Sequence, residues 1–272
     1  IINLILKQKI ISEKKLDVIK RQASCKYKSP IPTNIKLLTS YHKLISSNKL
    51  KPSIVLENIL KTRKIRTLSG IAAITVITKP YPCPGECLYC PQEKDMPKSY
   101  LANEPACMRA VLTKFDPYKQ TKARLDSLTM TGHKTDKIEL IVLGGTWSYY
   151  DKKYQEWFIK RCFQACNTKS KIQGPKSKQT LKQAQKINEK AKHRIIGLTL
   201  ETRPDYINEK EIKRMRWLGA TRVELGVQSI YDNILKYNNR GHNVQKIINA
   251  TKLLKNAGIK ICPFFGRSEK NY

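Results

Sequence analysis

The sequence predicts an α/β protein, in which a parallel sheet with intervening helices follows a basic helical module. From residue 71 onward, short β-branched runs alternate with helical patterns, and polar, glycine or cysteine residues follow the strand ends. Before residue 71, apolar residues recur at helical spacing among 16 Lys or Arg and only three acidic residues. Because alternating strands and helices are typical of βα units, we divide the chain into a helical module at 1–70 and an α/β domain at 71–272.

The helical module contains two stretches of helical apolar spacing, which Pro30 and Pro32 separate. It ends in a dense group of cations close to the first strand. We call this group the basic cluster, and it consists of Lys61, Arg63, Lys64 and Arg66. Cations at this density suit a polyanionic partner, and a solvated helical face is the alternative interpretation.

The α/β domain contains five predicted strands, at residues 71–78, 137–143, 195–200, 222–226 and 259–262. Helices are predicted between them, at residues 105–129, 154–166, 180–192, 208–217 and 244–256. In parallel barrels, catalytic and binding residues collect where the strands end. Candidate functional residues are therefore expected directly after each strand.

Three cysteines at C-x3-C-x2-C spacing follow the first strand, at Cys83, Cys87 and Cys90. Three thiolates on a four-iron cluster leave one iron open to a chelating cofactor. With the aromatic Tyr89 before the last cysteine, the spacing resembles the radical S-adenosylmethionine motif. A structural zinc site is the alternative, with a fourth ligand from Cys107 or a distant His, although no second C-x2-C pair is present. Disulfides are disfavoured, because the chain carries no secretory signal.

The ends of the next three strands carry further candidate binding residues, which are Gly144, Gly145, Glu201, Arg203, Gln228 and Ser229. Paired glycines let the backbone approach a ligand closely. Glu201 and Arg203 face the same side by their alternate spacing. Burying both charges is costly unless they meet a ligand or each other, so a structural ion pair stays open as an alternative.

The composition indicates a nucleic-acid partner and disfavours secreted and membrane proteins. The chain has 53 Lys or Arg against 21 acidic residues, a net charge of +32. A general enrichment in lysine is the alternative, and a Lys-rich connection at 167–194 forms a second basic stretch. No run approaches the roughly 20 apolar residues of a membrane span, so we expect a cytoplasmic protein. The other cysteines are predicted to be small buried apolar residues, namely Cys25, Cys107, Cys162, Cys166 and Cys262.

The assembled motifs resemble the catalytic subunit of Elongator, the family of radical-SAM tRNA-uridine carboxymethyltransferases. The segments that match this family are residues 66–70, 78–84, 98–100, 103–105, 116–118, 136–146, 201–205, 224–229 and 239–242. The cysteine spacing resembles that of the prokaryotic branch. The resemblance implies a partial parallel (β/α)6 radical-SAM barrel, truncated after its fifth strand.

The resemblance also implies the chemistry. Cys83, Cys87 and Cys90 would hold a [4Fe–4S] cluster, and S-adenosylmethionine would chelate its fourth iron. In the family, a 5′-deoxyadenosyl radical takes hydrogen from the methyl group of acetyl-CoA, and the carbon adds to C5 of the wobble uridine. Lys137 matches the lysine that contacts acetyl-CoA and is the implied catalytic residue. The helical module matches the tRNA-binding region, and the implied partners are tRNA, acetyl-CoA and an electron donor. Self-association and an Elongator-like assembly both stay open.

The chain departs from the family in two places. Residues 91–94 read Pro-Gln-Glu-Lys where the family has Gly-Gly-Pro, and the chain ends at Tyr272, before a sixth strand and an acetyltransferase-like domain. Its first residue is Ile1 rather than Met, which we interpret as an incomplete N-terminus. The alternative function is a cluster-bearing tRNA-binding fragment without turnover. A zinc-stabilised RNA-binding protein is a third interpretation.

Overall fold

The structure is a computed structural model that describes residues 2–6, 12–167 and 179–265. The chain divides into two compact units. The helical unit comprises residues 1–72 and 124–135, and the sheet unit comprises residues 73–123 and 136–272. The helical unit thus includes a segment that the sequence analysis assigned to the α/β domain. Residues 168–178 of the Lys-rich connection lie outside the described residues.

The helical unit contains four α-helices in its N-terminal part, α1 (Ile2–Leu6), α2 (Glu13–Lys26), α3 (Asn34–Ser46) and α4 (Ile54–Leu60). The last three begin at Ser12, Thr33 and Ser53, whose side-chain oxygens accept hydrogen bonds from backbone N–H groups in the first turn. One apolar core joins the four helices, and its largest fully buried side chains include Tyr41 and Leu38. The helix α4 was not predicted from the sequence.

The sheet unit is built on five strands, β1 (Ala72–Ile77), β2 (Lys137–Leu143), β3 (Arg194–Thr202), β4 (Arg222–Gln228) and β5 (Lys260–Phe265). Their order in the sheet is the order in the chain, and the pairs β2–β3, β3–β4 and β4–β5 are parallel. The predicted α/β class is therefore confirmed, with five strands of a (β/α)6 barrel in the described residues. All five predicted strands are present. β2 has the predicted bounds, and the bounds of the other four strands differ from the predicted ones by a few residues at most.

In the described residues, seven α-helices accompany the strands, α5 (Pro105–Leu112), α6 (Pro117–Met130), α7 (Lys152–Cys166), α8 (Leu181–Asn188), α9 (Glu209–Leu218), α10 (Asp232–Tyr237) and α11 (Val244–Asn256). The single helix predicted at 105–129 is wrong. Two helices replace it, because Lys114 and Phe115 adopt positive φ angles of 53° and 55° and Pro117 starts a new helix. The short helix α10 was not predicted.

The cysteines outside the C-x3-C-x2-C motif fall into two groups. Cys107, Cys162 and Cys166 are buried, as predicted. The prediction is wrong for Cys25 and Cys262, which are exposed. Cys25 lies on the outer face of α2, and Cys262 lies on β5, the last strand in the order of the sheet. In the described residues, no helix is both long and apolar enough to cross a membrane.

Candidate active site at the carboxyl ends of the strands

The three cysteines of the C-x3-C-x2-C motif lie on a loop without helix or strand that follows β1. We call residues 78–91 the cysteine loop. All three are free and half-buried. Cys83 Sγ lies 3.6 Å from Thr146 Oγ1 and accepts a hydrogen bond from the N–H of Gly85 at 3.4 Å. Cys90 Sγ lies 3.0 Å from Ser99 Oγ.

The middle cysteine, Cys87, faces two arginine side chains. Arg240 Nη1 lies 3.0 Å from Cys87 Sγ, and Arg203 Nη1 lies 3.9 Å from it. Arg203 is buried and forms an ion pair with Asp205 at 2.9 Å. Burial alone would raise the pKa of Asp205, but His242 and Arg203 outweigh this effect and lower the pKa to about 2. The charge of Arg203 is thus largely matched by a carboxylate.

A buried tyrosine fixes the start of the cysteine loop. The hydroxyl oxygen of Tyr150 lies 2.7 Å from Thr78 Oγ1 and 3.0 Å from the carbonyl oxygens of Lys79 and Gly144. Its ring stacks on Tyr81, with ring centroids 4.7 Å apart. Tyr150 thereby links the loop after β1 to the loop after β2. The sequence analysis missed it, because an aromatic residue after a strand has no specific local signature.

Gly144 and Gly145 are held by Glu201. Oε2 of Glu201 accepts hydrogen bonds from the Tyr100 hydroxyl at 2.7 Å and from both glycine N–H groups at 3.3 Å. Burial raises the pKa of Glu201, and these three donors oppose that shift. Gly144 has a φ of 140°, and a Cβ there would lie 1.7 Å from Thr78 Oγ1. Only glycine fits this position.

Glu201 and Arg203 therefore have separate partners rather than each other, since Glu201 holds the glycine loop and Arg203 pairs with Asp205. The ion pair between them that the sequence analysis left open is not formed. Both side chains nevertheless lie at the carboxyl end of β3, as predicted from their position in the chain.

The end of β4 carries a strained residue. Gln228 has a φ of 70°, which is unusual for a residue with a side chain, and its Oε1 is buried without a hydrogen-bond partner in the described part of the chain. An orphaned buried oxygen of this kind suits a ligand with a donor group. The Oγ of Ser229, by contrast, accepts a local hydrogen bond from the N–H of Tyr231 at 3.2 Å.

Tyr89 lies on the cysteine loop beside Cys90 and is 46% exposed. Partial burial raises the pKa of its hydroxyl to about 12, although the nearby charge of Arg240 acts in the opposite direction. The hydroxyl therefore stays protonated at neutral pH and can serve only as a neutral hydrogen-bonding group.

Lys137 does not lie with these residues. It is the exposed first residue of β2 and pairs in register with Arg194, the first residue of β3. Gly144 follows the other end of β2, so the length of the strand, roughly 20 Å at the usual rise per residue, separates the two. Its role toward acetyl-CoA stays a prediction that rests on the resemblance.

The cysteine loop provides ligands of the right chemistry for an iron–sulfur cluster. With the side chains placed as they are, the described residues contain no group of three or more His, Cys, Asp or Glu that could hold a metal ion. Binding therefore requires the three thiols to turn toward one point. They are free, they share one irregular loop, and Arg240 Nη1 lies 3.0 Å from Cys87 Sγ. On this chemistry, the loop fits a cluster with three cysteine ligands.

Cys107 is a poor fourth ligand for the zinc alternative. It packs in a buried apolar cluster with Ile77, Met96 and Ala110. Burial, together with a hydrogen bond to Glu104, raises the pKa of its thiol to about 12. A thiol that stays protonated does not ligate zinc well.

A cavity of about 810 Å³ lies beside the cysteine loop. It is lined on one side by Glu86 of the loop and on the other by the connection from α10 to α11. Its cationic lining residues are Arg203, Lys236, Arg240 and Lys246. Glu86 and Asp232 also line the cavity and Arg203 is paired with Asp205, so its lining carries charges of both signs.

The basic cluster lies in the helical unit and gains a fifth cation from a distant part of the chain. Arg124, on α6, is half-buried, and its pKa is lowered by burial and by the charges of Arg66 and Arg63. The charges of Arg66 and Arg63 therefore both act on Arg124. Lys64 instead forms an ion pair with Glu13. The sequence analysis missed Arg124, because nothing local connects it with residues 61–66.

The family follows from comparison with known proteins. Residues 80–266 match the profile of the Radical SAM superfamily. The chain belongs to the Radical SAM superfamily.

Within the superfamily, the chain is similar to proteins of the Elongator catalytic type, which confirms the resemblance found in the sequence. A protein of Methanocaldococcus infernus named tRNA uridine(34) acetyltransferase is 46% identical over 273 residues, covering 96% of this chain and 48% of the relative. Elongator complex protein 3 of Drosophila melanogaster is 38% identical over 213 residues, covering 74% of this chain and 37% of the relative.

A solved structure agrees with these relatives. The archaeal Methanocaldococcus infernus Elp3 with an N-terminal deletion superposes with a TM-score of 0.57 at 45% identity, covering 73% of this chain and 38% of that chain. The chain thus spans about half the length, or less, of the relatives that it matches.

Proposed function

We propose that this chain is the radical-SAM part of an enzyme that modifies the wobble uridine of tRNA by 5-carboxymethylation with acetyl-CoA. The observation that carries the proposal is the cysteine loop, in which three free thiols at C-x3-C-x2-C spacing follow β1 and the middle one, Cys87, contacts two arginines. The names of the relatives, tRNA uridine(34) acetyltransferase and Elongator complex protein 3, supply the substrate class.

In this proposal, Cys83, Cys87 and Cys90 bind a [4Fe–4S] cluster to which S-adenosylmethionine attaches. The cluster and S-adenosylmethionine supply radical chemistry when they are bound. The protein orients the cofactor through polar groups at the carboxyl ends of β2, β3 and β4. These groups belong to Gly144, Gly145, Glu201, Arg203, Gln228 and Ser229, and Tyr89 of the cysteine loop adds its hydroxyl.

These groups differ in whether they still have a free hydrogen-bonding atom for the cofactor. Gln228 Oε1 is buried and unpartnered in the described residues, so it can accept from a bound ligand. Glu201 already accepts three hydrogen bonds, and it acts by holding the backbone of Gly144 and Gly145 in place. Arg203 is locked by Asp205 and presents one edge toward Cys87. Glu201 and Arg203 are therefore positioning residues.

Acetyl-CoA and tRNA are assigned to other parts of the chain. The proposed contact of Lys137 with acetyl-CoA is carried by the resemblance, since Lys137 lies at the opposite end of β2 from the glycine loop. The proposed tRNA contact is the basic cluster, where repulsion from the charges of Arg66 and Arg63 lowers the pKa of Arg124. An anionic partner would relieve that repulsion. A reducing partner and an Elongator-like assembly belong to the same proposal.

The test is anaerobic reconstitution followed by reduction with dithionite. We expect about four irons and four sulfides per chain, the content of one [4Fe–4S] cluster, and release of 5′-deoxyadenosine from S-adenosylmethionine. Cys83→Ala, Cys87→Ala and Cys90→Ala should each lose the iron, whereas Cys162→Ala should retain it. One zinc per chain and no iron would contradict the proposal and favour the zinc-stabilised alternative.

The same assay distinguishes this proposal from the second candidate, a cluster-bearing tRNA-binding fragment without turnover. That candidate predicts full iron content and tRNA binding without any 5′-deoxyadenosine. Gln228→Ala should weaken binding of S-adenosylmethionine, measured by calorimetry on the reconstituted protein. The exposed Gln245→Ala on α11 is the matched control. Equal affinities in the wild type and in Gln228→Ala would remove Gln228 from the site.

A further inference from the structure

Arg240 connects three parts of the sheet unit through one side chain and its carbonyl group. Nη1 lies 3.0 Å from Cys87 Sγ on the cysteine loop, and Nη2 donates to the carbonyl oxygen of Gly226 on β4 at 2.9 Å. The carbonyl oxygen of Arg240 accepts from Nη2 of Arg203, at the end of β3. The neighbouring backbone adds a further link, because the N–H of Leu88 donates to the carbonyl oxygen of Asn238 at 3.3 Å.

The guanidinium of Arg240 is buried without a carboxylate partner in the described residues. The residue is 7% exposed, and its described partners are a sulfur, a carbonyl oxygen and the hydroxyl of Tyr89. A buried cation is costly unless an anion accompanies it. The nearest atom that would carry negative charge once a cluster is bound is Cys87 Sγ, 3.0 Å from Nη1.

Arg203 is a different case, although it approaches the same sulfur. Its Nη1 lies 3.9 Å from Cys87 Sγ, well beyond the distance of Arg240. Asp205 neutralises it through contacts to Nε and Nη2, both at 2.9 Å. The positive field at Cys87 therefore comes mainly from Arg240.

We propose that Arg240 is a positioning residue that fixes Cys87 and, through its N–H···S hydrogen bond, raises the reduction potential of the cluster bound there. The proposal rests on the proposed function, because it requires Cys87 to be a cluster ligand. Reduction adds one negative charge to a cluster, and a cationic donor on a ligand sulfur stabilises the reduced state more than the oxidised one. Arg240 thereby makes the reduced state, which radical chemistry requires, easier to reach.

The experiment compares cluster potentials in three variants. Arg240→Gln removes the charge, Arg240→Lys keeps it but cannot reach both Cys87 and Gly226, and Lys246→Gln removes a cation that lines the same cavity. After anaerobic reconstitution, iron and sulfide are counted, and the midpoint potential is read from a redox titration followed by electron paramagnetic resonance. We expect a negative shift in Arg240→Gln, a smaller one in Arg240→Lys, and no shift in Lys246→Gln.

Several results would overturn the inference. One is full iron content with an unchanged midpoint potential in Arg240→Gln. Another is a shift of the potential in Lys246→Gln equal to that in Arg240→Gln, which would indicate a general charge effect. Loss of iron from both Arg240 variants, with circular dichroism like that of the wild type, would support the positioning part. If the wild type itself takes up no iron, the proposed function fails instead.

A measurement on the wild type covers the case in which both Arg240 variants fail to fold. Protein labelled with [15N]arginine is reconstituted and reduced, and electron–nuclear double resonance is recorded. We expect a 15N coupling from a guanidinium bonded to a cluster ligand. Its absence would overturn the inference, and Arg203→Lys identifies the source, because the coupling should persist in that variant.

Discussion

At the scale of single residues, the site depends on side chains that hold backbone in place. Tyr150 and Glu201 each contact more than one segment through a single oxygen atom, the hydroxyl oxygen of Tyr150 and Oε2 of Glu201. They leave little freedom to the glycine loop after β2. The side chain of Gln228 is the exception, and its strained backbone and unpartnered oxygen are typical of a residue kept for binding.

Gly144→Ala should destabilise the sheet unit by about 1–3 kcal/mol, the usual cost of an added methyl group in a filled space. The reason is the overlap of the new Cβ with Thr78 Oγ1, at 1.7 Å. Gly145→Ala is the matched control, because it also has a positive φ but its Cβ would meet Lys98 at an ordinary 3.5 Å. Chemical denaturation measures both variants. Equal losses of stability in the two variants would mean that backbone strain, and not the contact with Thr78, causes the destabilisation.

His133 should make the helical unit sensitive to acid. Its Nδ1 lies 2.9 Å from Thr67 Oγ1, and burial, together with the charges of Lys61, Arg66 and Arg124, lowers its pKa. The folded protein therefore favours the neutral ring, and its contribution to stability is present above the unfolded pKa near 6.5. That contribution is lost as the pH falls below this value.

Thermal unfolding at about pH 7.5 and about pH 5.5 checks this dependence. His133→Gln should reduce the loss of thermal stability between the two conditions, whereas the exposed His42→Gln should leave it as in the wild type. A loss of the same size in all three proteins would show that other groups control the response to acid.

At the scale of elements, the break between α5 and α6 shows what local patterns conceal. Apolar spacing continues through residues 105–129, so the sequence analysis predicted one helix. The chain instead ends α5 at Leu112 with hydrogen bonds from Lys114 and Phe115 back to Val111 and Ala110. Pro117 was a usable signal of this break in the sequence, because the residue before a proline disfavours the helical conformation.

Lys114→Gly should stabilise the protein by up to about 1 kcal/mol, because Lys114 adopts a φ of 53° that glycine reaches without strain. The matched control is Lys252→Gly in the interior of α11, which should cost about 1 kcal/mol. Chemical denaturation of both variants gives the sign. A destabilised Lys114→Gly would mean that the lysine side chain contributes contacts that outweigh its backbone strain.

At the scale of the whole molecule, the net charge of +32 raises the question of which cations matter. The structure separates them by surroundings. Repulsion from the charges of Arg66 and Arg63 lowers the pKa of Arg124 in the helical unit, whereas Lys64 is paired with Glu13. Crowded cations release the most repulsion when a polyanion binds. The described cations of the basic cluster therefore differ in their expected contributions.

Replacing Lys61, Arg63, Lys64 and Arg66 together with Gln should weaken tRNA binding and reduce its salt dependence by about 0.7–0.9 log units per lost phosphate contact. The control replaces four exposed lysines of the sheet unit, Lys210, Lys213, Lys252 and Lys255. Fluorescence anisotropy across a salt series measures both. Lys64→Gln alone should cost least, and Arg124→Gln should resemble Arg66→Gln. Equal losses from both quadruple variants would assign the charge to general lysine enrichment.

The sequence predicts the strands of the sheet and the residues that follow them, because strand periodicity and βα alternation are local patterns. It does not predict Tyr150, Arg124 or Arg240 as parts of a site. The contact of Arg240 with Cys87 spans 153 positions in the chain, and that of Tyr150 with Thr78 spans 72. Such pairings are set by tertiary packing, which no local window contains. Residues 239–242 were matched to the family by resemblance only, without a role.

The eight cysteines differ in exposure, so the number that reacts with a thiol reagent reports whether a cluster has been assembled. Cys25 and Cys262 are exposed, Cys107, Cys162 and Cys166 are buried, and the three thiols of the cysteine loop lie between these extremes. A small thiol-blocking reagent added to folded, metal-free protein should therefore add five mass tags, and denaturation should raise the count to eight. If a cluster occupies the loop, the native count falls to two. Mass spectrometry of a cell lysate would then reveal what share of the protein has been assembled, without purification and without any assay of turnover.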